Sequence, residues 1–168
     1  RVGQGKENEK TNAARLLDKA GINYGLIPYE FDENDLAVQH VAECLGQPIE
    51  QVFKTLVLQG DKTGHIVCVV PGDSEVVLKA LAKASGNKKV EMIAMKDLLQ
   101  VTGYIRGGCS PIGMKKRFPT YFHSTANDFE TIYVSAGVRG LQLAISPAEL
   151  IGFVGGTVAD VAAFGNKV

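Results

Sequence analysis

The chain has 168 residues, which fits one domain with a single core, and its 45% hydrophobic and 21% charged residues exclude a disordered protein. Apolar runs all fall well short of the length that spans a bilayer. The 18 basic and 18 acidic residues cancel, but residues 79–117 hold nine basic and two acidic residues, whereas residues 20–53 hold six acidic and no basic ones. The basic stretch either contacts a polyanion or is a set of solvated lysines on helix surfaces.

The beginning of the chain is polar and without periodicity. Residues 1–10 are therefore predicted to be a mobile tail or a cloning remnant, and residues 11–168 a single domain. Thr11 is a candidate N-cap for a helix through Ala20, and Gly21 is its predicted end. A strand over residues 24–31 follows, which Pro28 restricts to a sheet edge, and then a helix over residues 37–45.

The central segment is the most apolar. Residues 52–59 and 65–70 flank a short turn and are predicted to pair as a hairpin. Asp73 or Ser74 is predicted to cap the next helix, and a strand at residues 90–93 precedes a helix at residues 95–101.

The last third of the chain is predicted to hold three strands, at residues 120–124, 131–135 and 141–145. Ser146 then caps a helix that has Pro147 in its first turn and runs to residue 153. Six or seven strands with scattered helices, and no regular strand–helix alternation, predict an α+β fold around a mixed sheet or open barrel.

The spacing of the histidines and cysteines argues against a metal site and against disulfide bonds. His40 and Cys44 lie four apart on a predicted helix and could form half a zinc site, but a second pair is missing, so no metal is expected. The chain has three cysteines without a CxxC pair, which predicts reduced thiols in a cytoplasmic protein: Cys44, Cys68 and Cys109.

Ser110 and Cys109 are the candidate nucleophiles of the glycine-rich segment. Pro111 follows the serine and lacks the N–H that an oxyanion hole takes from that position, which argues against a serine esterase. Cys109 is interpreted as a small apolar filler in a tight loop, although its pairing with a histidine stays open at this point.

One lysine and two loops remain as candidates for a site. Period-two alternation places Lys54 on an otherwise apolar strand, where it is either a partly desolvated site group or a strand-end lysine that reaches water. Residues 107–113 hold three glycines and Pro111 between basic flanks, and residues 135–140 hold Ser135, Arg139 and two glycines. Each loop alone is compatible with an ordinary turn, whereas Lys54 and both loops together predict one pocket.

Three segments carry a resemblance to a known family: VFKTL at residues 52–56, GGCSPIG at 107–113 followed by KKR at 115–117, and TIYVSAG at 131–137 followed by Arg139 and Gly140. They resemble the YbaK family, which is related to the editing domain inserted in bacterial prolyl-tRNA synthetase. The likeness holds in register from about Thr11 to the end of the chain.

The resemblance implies a trans-editing aminoacyl-tRNA deacylase that hydrolyses the ester of mischarged tRNA, typically cysteine on the proline tRNA. It implies an α+β fold in which a mixed, largely antiparallel sheet forms a barrel-like core with surrounding helices. No cofactor, metal or membrane is implied. The expected partners are the acceptor end of a misacylated tRNA and, as a second candidate, prolyl-tRNA synthetase.

The resemblance also assigns site residues. Lys54 and Gly107 are implied as catalytic, and seven residues as substrate-binding: Tyr29, Gly108, Ser110, Pro111, Ser135, Gly137 and Arg139. In cysteine-specific members the thiol of the substrate is thought to attack the ester, so the protein needs no nucleophile of its own. Relatives that edit alanine use a bound water instead. A non-catalytic tRNA- or nucleotide-binding module is the alternative from another class.

Overall fold

A computed structural model of the chain describes residues 10–165. The α-helices in this part of the chain are α1 (Asn12–Ala20), α2 (Val38–Leu45), α3 (Leu78–Ser85), α4 (Leu98–Thr102) and α5 (Pro147–Val154). Short 3-10 turns stand at Ile49–Gln51, Met95–Asp97 and Ser124–Asp128.

The strands of the described residues are β1 (Tyr24–Pro28), β2 (Phe53–Gly60), β3 (Gly64–Pro71), β4 (Ser74–Val76), β5 (Val90–Met92), β6 (Thr120–His123), β7 (Ile132–Ser135), β8 (Leu141–Ile145), β9 (Thr157–Ala159) and β10 (Ala162–Phe164). They form a five-stranded sheet in the order β5-β2-β3-β6-β9, a three-stranded sheet β1-β8-β7 and a pair β10-β4. Strand β6 runs parallel to β3 and β9, and the other pairs are antiparallel.

The main core lies where the five-stranded sheet meets the three-stranded one. It contains side chains from the odd-numbered positions of β2, together with residues of β7 and β8: Phe53, Val57, Val134, Leu143 and Ile145. Leu58 on the opposite face of β2 packs with Ile66, Val70 and Leu81 in a second cluster. Strand β2 is therefore buried on both faces, as its continuous apolar sequence predicts.

Helix ends follow the sequence closely. The Thr11 hydroxyl accepts a hydrogen bond from the Ala14 N–H, and the Ser146 hydroxyl accepts one from the Glu149 N–H, which confirms both predicted caps. Helix α1 ends at Gly21 with a φ of 73°, a left-handed conformation that favours glycine. The predicted hairpin of β2 and β3 and the edge position of β1 are also confirmed.

The helix predicted to begin at Asp73 or Ser74 begins instead at Leu78. Residues 74–76 form β4 and pair with β10, and the Ser74 hydroxyl donates to the Pro71 carbonyl at 2.7 Å, so it does not cap the helix. Strands β4, β9 and β10 were outside the prediction. They form because distant segments pair, which local sequence does not reveal.

The predicted α+β class and the mixed, mostly antiparallel pairing are confirmed. Within residues 10–165 the strands form three separate sheets, and an isolated parallel bridge from Val52 to Tyr133 joins β2 to β7. The barrel-like closure of the core therefore stays a prediction.

Candidate active site

A cavity of about 680 Å³ opens along one edge of β2. Strand β5 pairs with β2 at residues 58–60, and the bridge from Val52 joins the start of β2 to β7. Between these two points each residue from Phe53 to Val57 lines the cavity. The remaining walls come from the beginning of α2, the segment around Met92 and Met95, the loop at residues 106–109, and the ends of β7 and β8.

Lys54 stands on this open edge. Its side chain is half-buried, and its Nζ atom donates a weak hydrogen bond to the Gly72 carbonyl at 3.5 Å. Burial lowers the pKa of Lys54, and the carboxylates of Glu75 and Asp73 oppose that shift. The ammonium is thus a partly desolvated cation at the cavity wall, where an anionic or polar oxygen gains more from it than in water.

Gly107 also lines the cavity, in a conformation that favours glycine, with a φ of 84°. The Arg139 Nε atom donates to the Arg106 carbonyl at 2.9 Å, which ties the Gly107 loop to the loop after β7. A Cβ atom on Gly108 would lie 3.1–3.2 Å from backbone atoms of Val138 and Arg139. The two glycine-rich loops are therefore packed backbone against backbone, and Gly108 is the contact point.

Tyr104 contacts both of these loops. Its hydroxyl donates a short hydrogen bond to the Ile112 carbonyl, and its ring lies against Gly137, where a Cβ atom would be 3.2 Å away. The Gly137 N–H donates to the Ser135 hydroxyl at 3.1 Å. Ser135 is 9% exposed and lines the cavity at the end of β7.

The structure thus brings three of the predicted site residues to one cavity: Lys54, Gly107 and Ser135. Six others do not line it: Tyr29, Gly108, Ser110, Pro111, Gly137 and Arg139. Of these, Gly108, Gly137 and Arg139 hold the two loops together. The catalytic and binding roles of all nine residues stay predictions.

Ser110, Pro111 and Tyr29 have other contacts. The Ser110 side chain is fully buried and accepts the Ile112 N–H at 3.2 Å, so in this structure it supports a turn. Pro111 lines a second, smaller cavity of about 280 Å³, together with Lys115, Lys116 and Arg117. Tyr29 donates its N–H to the Gly140 carbonyl at 2.9 Å and packs with the cluster around Tyr133.

The cysteines are all unpaired thiols, and only Cys109 lines the larger cavity. Burial raises the pKa of Cys109 to about 12, so the thiol is protonated at neutral pH and is a poor nucleophile. His40 and Cys44 do approach each other, with 3.4 Å between Nε2 and Sγ. Within residues 10–165, however, no group of three or more His, Cys, Asp or Glu side chains is placed to hold a metal ion.

Two polar residues that line the cavity were not among the predicted site residues. The Thr55 Oγ1 and Gln142 Oε1 atoms are buried and have no hydrogen-bond partner in the described structure. Thr55 belongs to the VFKTL motif, and Gln142 stands directly opposite Ser135 in the β7–β8 ladder. Only the cross-strand register, which sequence does not give, could have connected Gln142 with the site.

The family model of the aminoacyl-tRNA editing domain matches residues 32–153, a span that includes Lys54, both glycine-rich loops and Gln142. The chain therefore belongs to the aminoacyl-tRNA editing domain family, which confirms the resemblance drawn from its three motifs.

Individual relatives agree with this membership. The chain is 49% identical over 156 residues to a protein of Enterococcus faecalis named "Putative Cys-tRNA(Pro)/Cys-tRNA(Cys) deacylase EbsC", covering 93% of this chain and 95% of that one. It is 31% identical over 86 residues to the proline–tRNA ligase of Thermosipho africanus, covering 51% of this chain and 15% of the ligase.

A crystal structure described as "a putative trans-editing enzyme for prolyl tRNA synthetase" has the same fold. The TM-score is 0.77 at 21% identity, with 91% of this chain and 98% of that one covered. In the described part of the molecule, the helices are all too short or too polar to cross a membrane.

Proposed function

We propose that this protein is a trans-editing aminoacyl-tRNA deacylase that acts on Cys-tRNA(Pro). Membership of the editing family gives the reaction class, and the relative that is 49% identical carries the corresponding name. The observation that carries the proposal is the single cavity that gathers Lys54, Gly107 and Ser135 from three separated motifs.

The cavity suits a reaction in which the protein positions and polarises an ester that is already activated. The Lys54 ammonium is available for phosphate or ribose oxygens of the terminal adenosine, and backbone groups at Gly107 for orienting the ester carbonyl. Ser135, whose hydroxyl accepts the Gly137 N–H, forms part of the same cavity wall.

The nucleophile is proposed to come from the substrate. Cys109 is a protonated thiol, and Ser110 is buried in a turn with Pro111 after it, so neither side chain offers an activated nucleophile. In the proposed reaction the substrate thiol forms a bond to the ester carbon and loses its proton. The bond from that carbon to the ribose oxygen breaks, that oxygen takes up the proton, and the tRNA leaves with its terminal hydroxyl restored. The cysteine leaves as a β-thiolactone, which water then opens to free cysteine.

The alternative within the same family is a deacylase for another misacylated tRNA, such as Ala-tRNA(Pro), with a water as nucleophile. The volume of about 680 Å³ admits either amino acid with the adenosine, so the choice depends on the chemistry of the side chain. A non-catalytic nucleotide-binding module is disfavoured because the half-buried lysine is retained at the cavity wall.

The proposed partners are the acceptor end of the misacylated tRNA and prolyl-tRNA synthetase. The match to part of a proline–tRNA ligase supports a common substrate, since that stretch covers 51% of this chain. The proposed location is the cytoplasm, since a protein that edits tRNA during translation is expected there.

The test is deacylation of Cys-tRNA(Pro), Ser-tRNA(Pro), Ala-tRNA(Pro) and Pro-tRNA(Pro) by the purified protein. Cysteine should be released much faster than serine, because serine differs only in having a hydroxyl in place of the thiol. Equal rates for cysteine and serine would contradict thiol assistance, and no acceleration for any mischarged tRNA would contradict the enzyme.

A further inference from the structure

Two buried oxygen atoms in the wall of the larger cavity lack hydrogen-bond donors. Gln142 is 5% exposed, and its Oε1 atom is buried without a hydrogen-bond partner in the described structure. The Thr55 Oγ1 atom is also buried without a hydrogen-bond partner in the described structure, on the part of β2 that pairs with β3 but not with β5. Both residues line the cavity. Buried acceptors of this kind are costly in a folded protein unless something completes them.

Neither cross-strand neighbour of Gln142 donates a hydrogen bond to its Oε1 atom in the described structure. Gln142 lies between Ile27 of β1 and Ser135 of β7. Ile27 has an apolar side chain, and the Ser135 hydroxyl, which accepts the Gly137 N–H, donates no hydrogen bond to the Gln142 Oε1 atom in the described structure. The Gln142 carboxamide thus lies between an apolar side chain and a hydroxyl that does not donate to it, and it lines the cavity.

From these contacts we infer that Gln142 and Thr55 form the subsite for the α-ammonium group of the aminoacyl ester. This inference rests on the proposed function, because it takes an aminoacyl adenosine as the ligand. The α-ammonium is next to the ester carbonyl and has N–H donors for both oxygens, and charge-assisted hydrogen bonds of this type are the strong ones.

The subsite would make the protein selective for a free α-amine. Acylation of the amine removes its charge and two of its donors, and leaves at least one buried acceptor unpaired. An aminoacyl-tRNA would then be accepted, whereas a formylated or peptidyl-tRNA would be rejected, even where the amino acid is the same.

A binding experiment separates this inference from the proposed activity. The probe is 3′-cysteinylamido-3′-deoxyadenosine, in which an amide replaces the ester and no turnover occurs, and it is compared by calorimetry with its N-acetyl and 2′-deoxy forms. The unaltered protein should bind the free-amine probe about tenfold or more tightly than the N-acetyl form.

The variant Gln142→Met, which keeps the size but not the acceptor, should lose about tenfold in affinity for the free-amine probe and leave the N-acetyl form unaffected. Thr55→Val should show the same pattern with a smaller loss. Gln142→Glu keeps an acceptor and should retain the preference for the free amine.

Thr125→Val is the matched control, because Thr125 has a buried hydroxyl without a partner but lines neither cavity. It should leave both affinities unchanged. Gln142→Met should melt at the same temperature as the unaltered protein or higher, since an apolar side chain replaces an unpaired carboxamide. If Gln142 had only a structural role, Gln142→Met would lower the melting temperature.

Three results would overturn the inference. Gln142→Met could lower the affinity for the free-amine and N-acetyl probes equally, or the effect of the variant could depend on the 2′-hydroxyl of the probe and not on its free amine. The third such result is that the unaltered protein does not bind the free-amine probe. If the deacylation assay shows no activity but the free-amine preference depends on Gln142, the proposed function fails and the subsite stands. If deacylation occurs but both probes bind equally, the subsite fails and the proposed function stands.

Discussion

Two cavities in the described part of the molecule share one loop but differ in their chemistry. Residues 106, 107 and 109 line the larger cavity, whereas residues 111–113 line the smaller one. The larger cavity has a half-buried lysine, a protonated thiol, and the Thr55 and Gln142 oxygens that have no partner among residues 10–165. The smaller has three consecutive basic side chains. The continuous motif at residues 107–113 is thus divided: its first part lines the cavity of the proposed reaction, and its last part lines the cavity with the basic side chains.

The basic residues of the smaller cavity are partly used within the fold. Lys115 donates to the Gln100 carbonyl at 3.2 Å, and Arg117 to the Phe153 carbonyl at 3.3 Å. Basic side chains that donate hydrogen bonds within the fold still attract phosphates, but the attraction acts over a short range and is strongly screened by salt. The difference between the cavities therefore predicts that substitutions in the larger one affect the chemical step, and those in the smaller one affect tRNA affinity.

The largest expected effect is at Lys54. Lys54→Ala should lower the single-turnover rate of Cys-tRNA(Pro) deacylation at least about a hundredfold, because the desolvated cation at the cavity wall is lost. Thermal unfolding should show no loss of stability, since burial disfavours the charged lysine in the folded state. Lys89→Ala removes an exposed lysine that pairs with Glu91 and serves as the control. A normal deacylation rate in Lys54→Ala would show that Lys54 is a strand-end lysine that extends into solvent and has no part in the reaction.

The next effect tests the contact between the two loops. Gly108→Ala places a Cβ atom against the backbone of Val138 and Arg139, so one loop must move. We expect about a tenfold lower rate and a loss of about 1–3 kcal/mol in the free energy of unfolding, measured by denaturant titration. Gly152→Ala in α5 has nothing within 4 Å of the added atom and should be neutral or stabilising. Equal behaviour of the two variants would mean that the loops are not tightly joined.

A smaller effect is expected in the second cavity. Lys116→Gln should raise the KM for Cys-tRNA(Pro) by about twofold to fivefold at low salt and leave kcat unchanged, because one phosphate contact is lost. The difference should disappear at high salt. A change in kcat that persists at high salt would instead connect this cavity with the chemical step and remove the distinction between the two.

The smallest change concerns thiol reactivity. At pH 8 iodoacetamide should modify the exposed Cys44 and spare Cys68 and Cys109, because burial raises the pKa of each buried thiol to about 12. Labelling of these two should require unfolding or a pH near their pKa. Mass spectrometry of the labelled peptides measures this, and rapid modification of Cys109 in the folded protein would revive it as a candidate nucleophile.

The accuracy of the sequence predictions follows how local the responsible interactions are. The helix caps at Thr11 and Ser146 and the hairpin of β2 and β3 depend on residues a few positions apart, and all were predicted. Strand β4 depends on β10, which lies far along the chain, and its residues were assigned to a helix. Short strands have weak intrinsic preferences, so a remote partner decides them.

The site divides in the same way. Lys54 and Gly107 were identifiable because a lysine in an apolar strand and a cluster of glycines are unusual at short range, and a family resemblance joined them to Ser135. Gln142 lies in an ordinary amphipathic strand and carries no local signal. Its relation to the cavity depends on the register of β7 and β8.

The sequence by itself determined the α+β class, the family and the three motifs, because alternation, capping and glycine placement are written in neighbouring residues. Only the tertiary structure decided that Gly107 and Pro111 line different cavities and that Gly108 is a contact between loops. It also decided that two oxygens in the cavity wall have no hydrogen-bond partner within the part of the chain that the structure describes. The physical reason is that burial and hydrogen-bond satisfaction depend on which distant segments meet, and that is fixed when the sheets pack together.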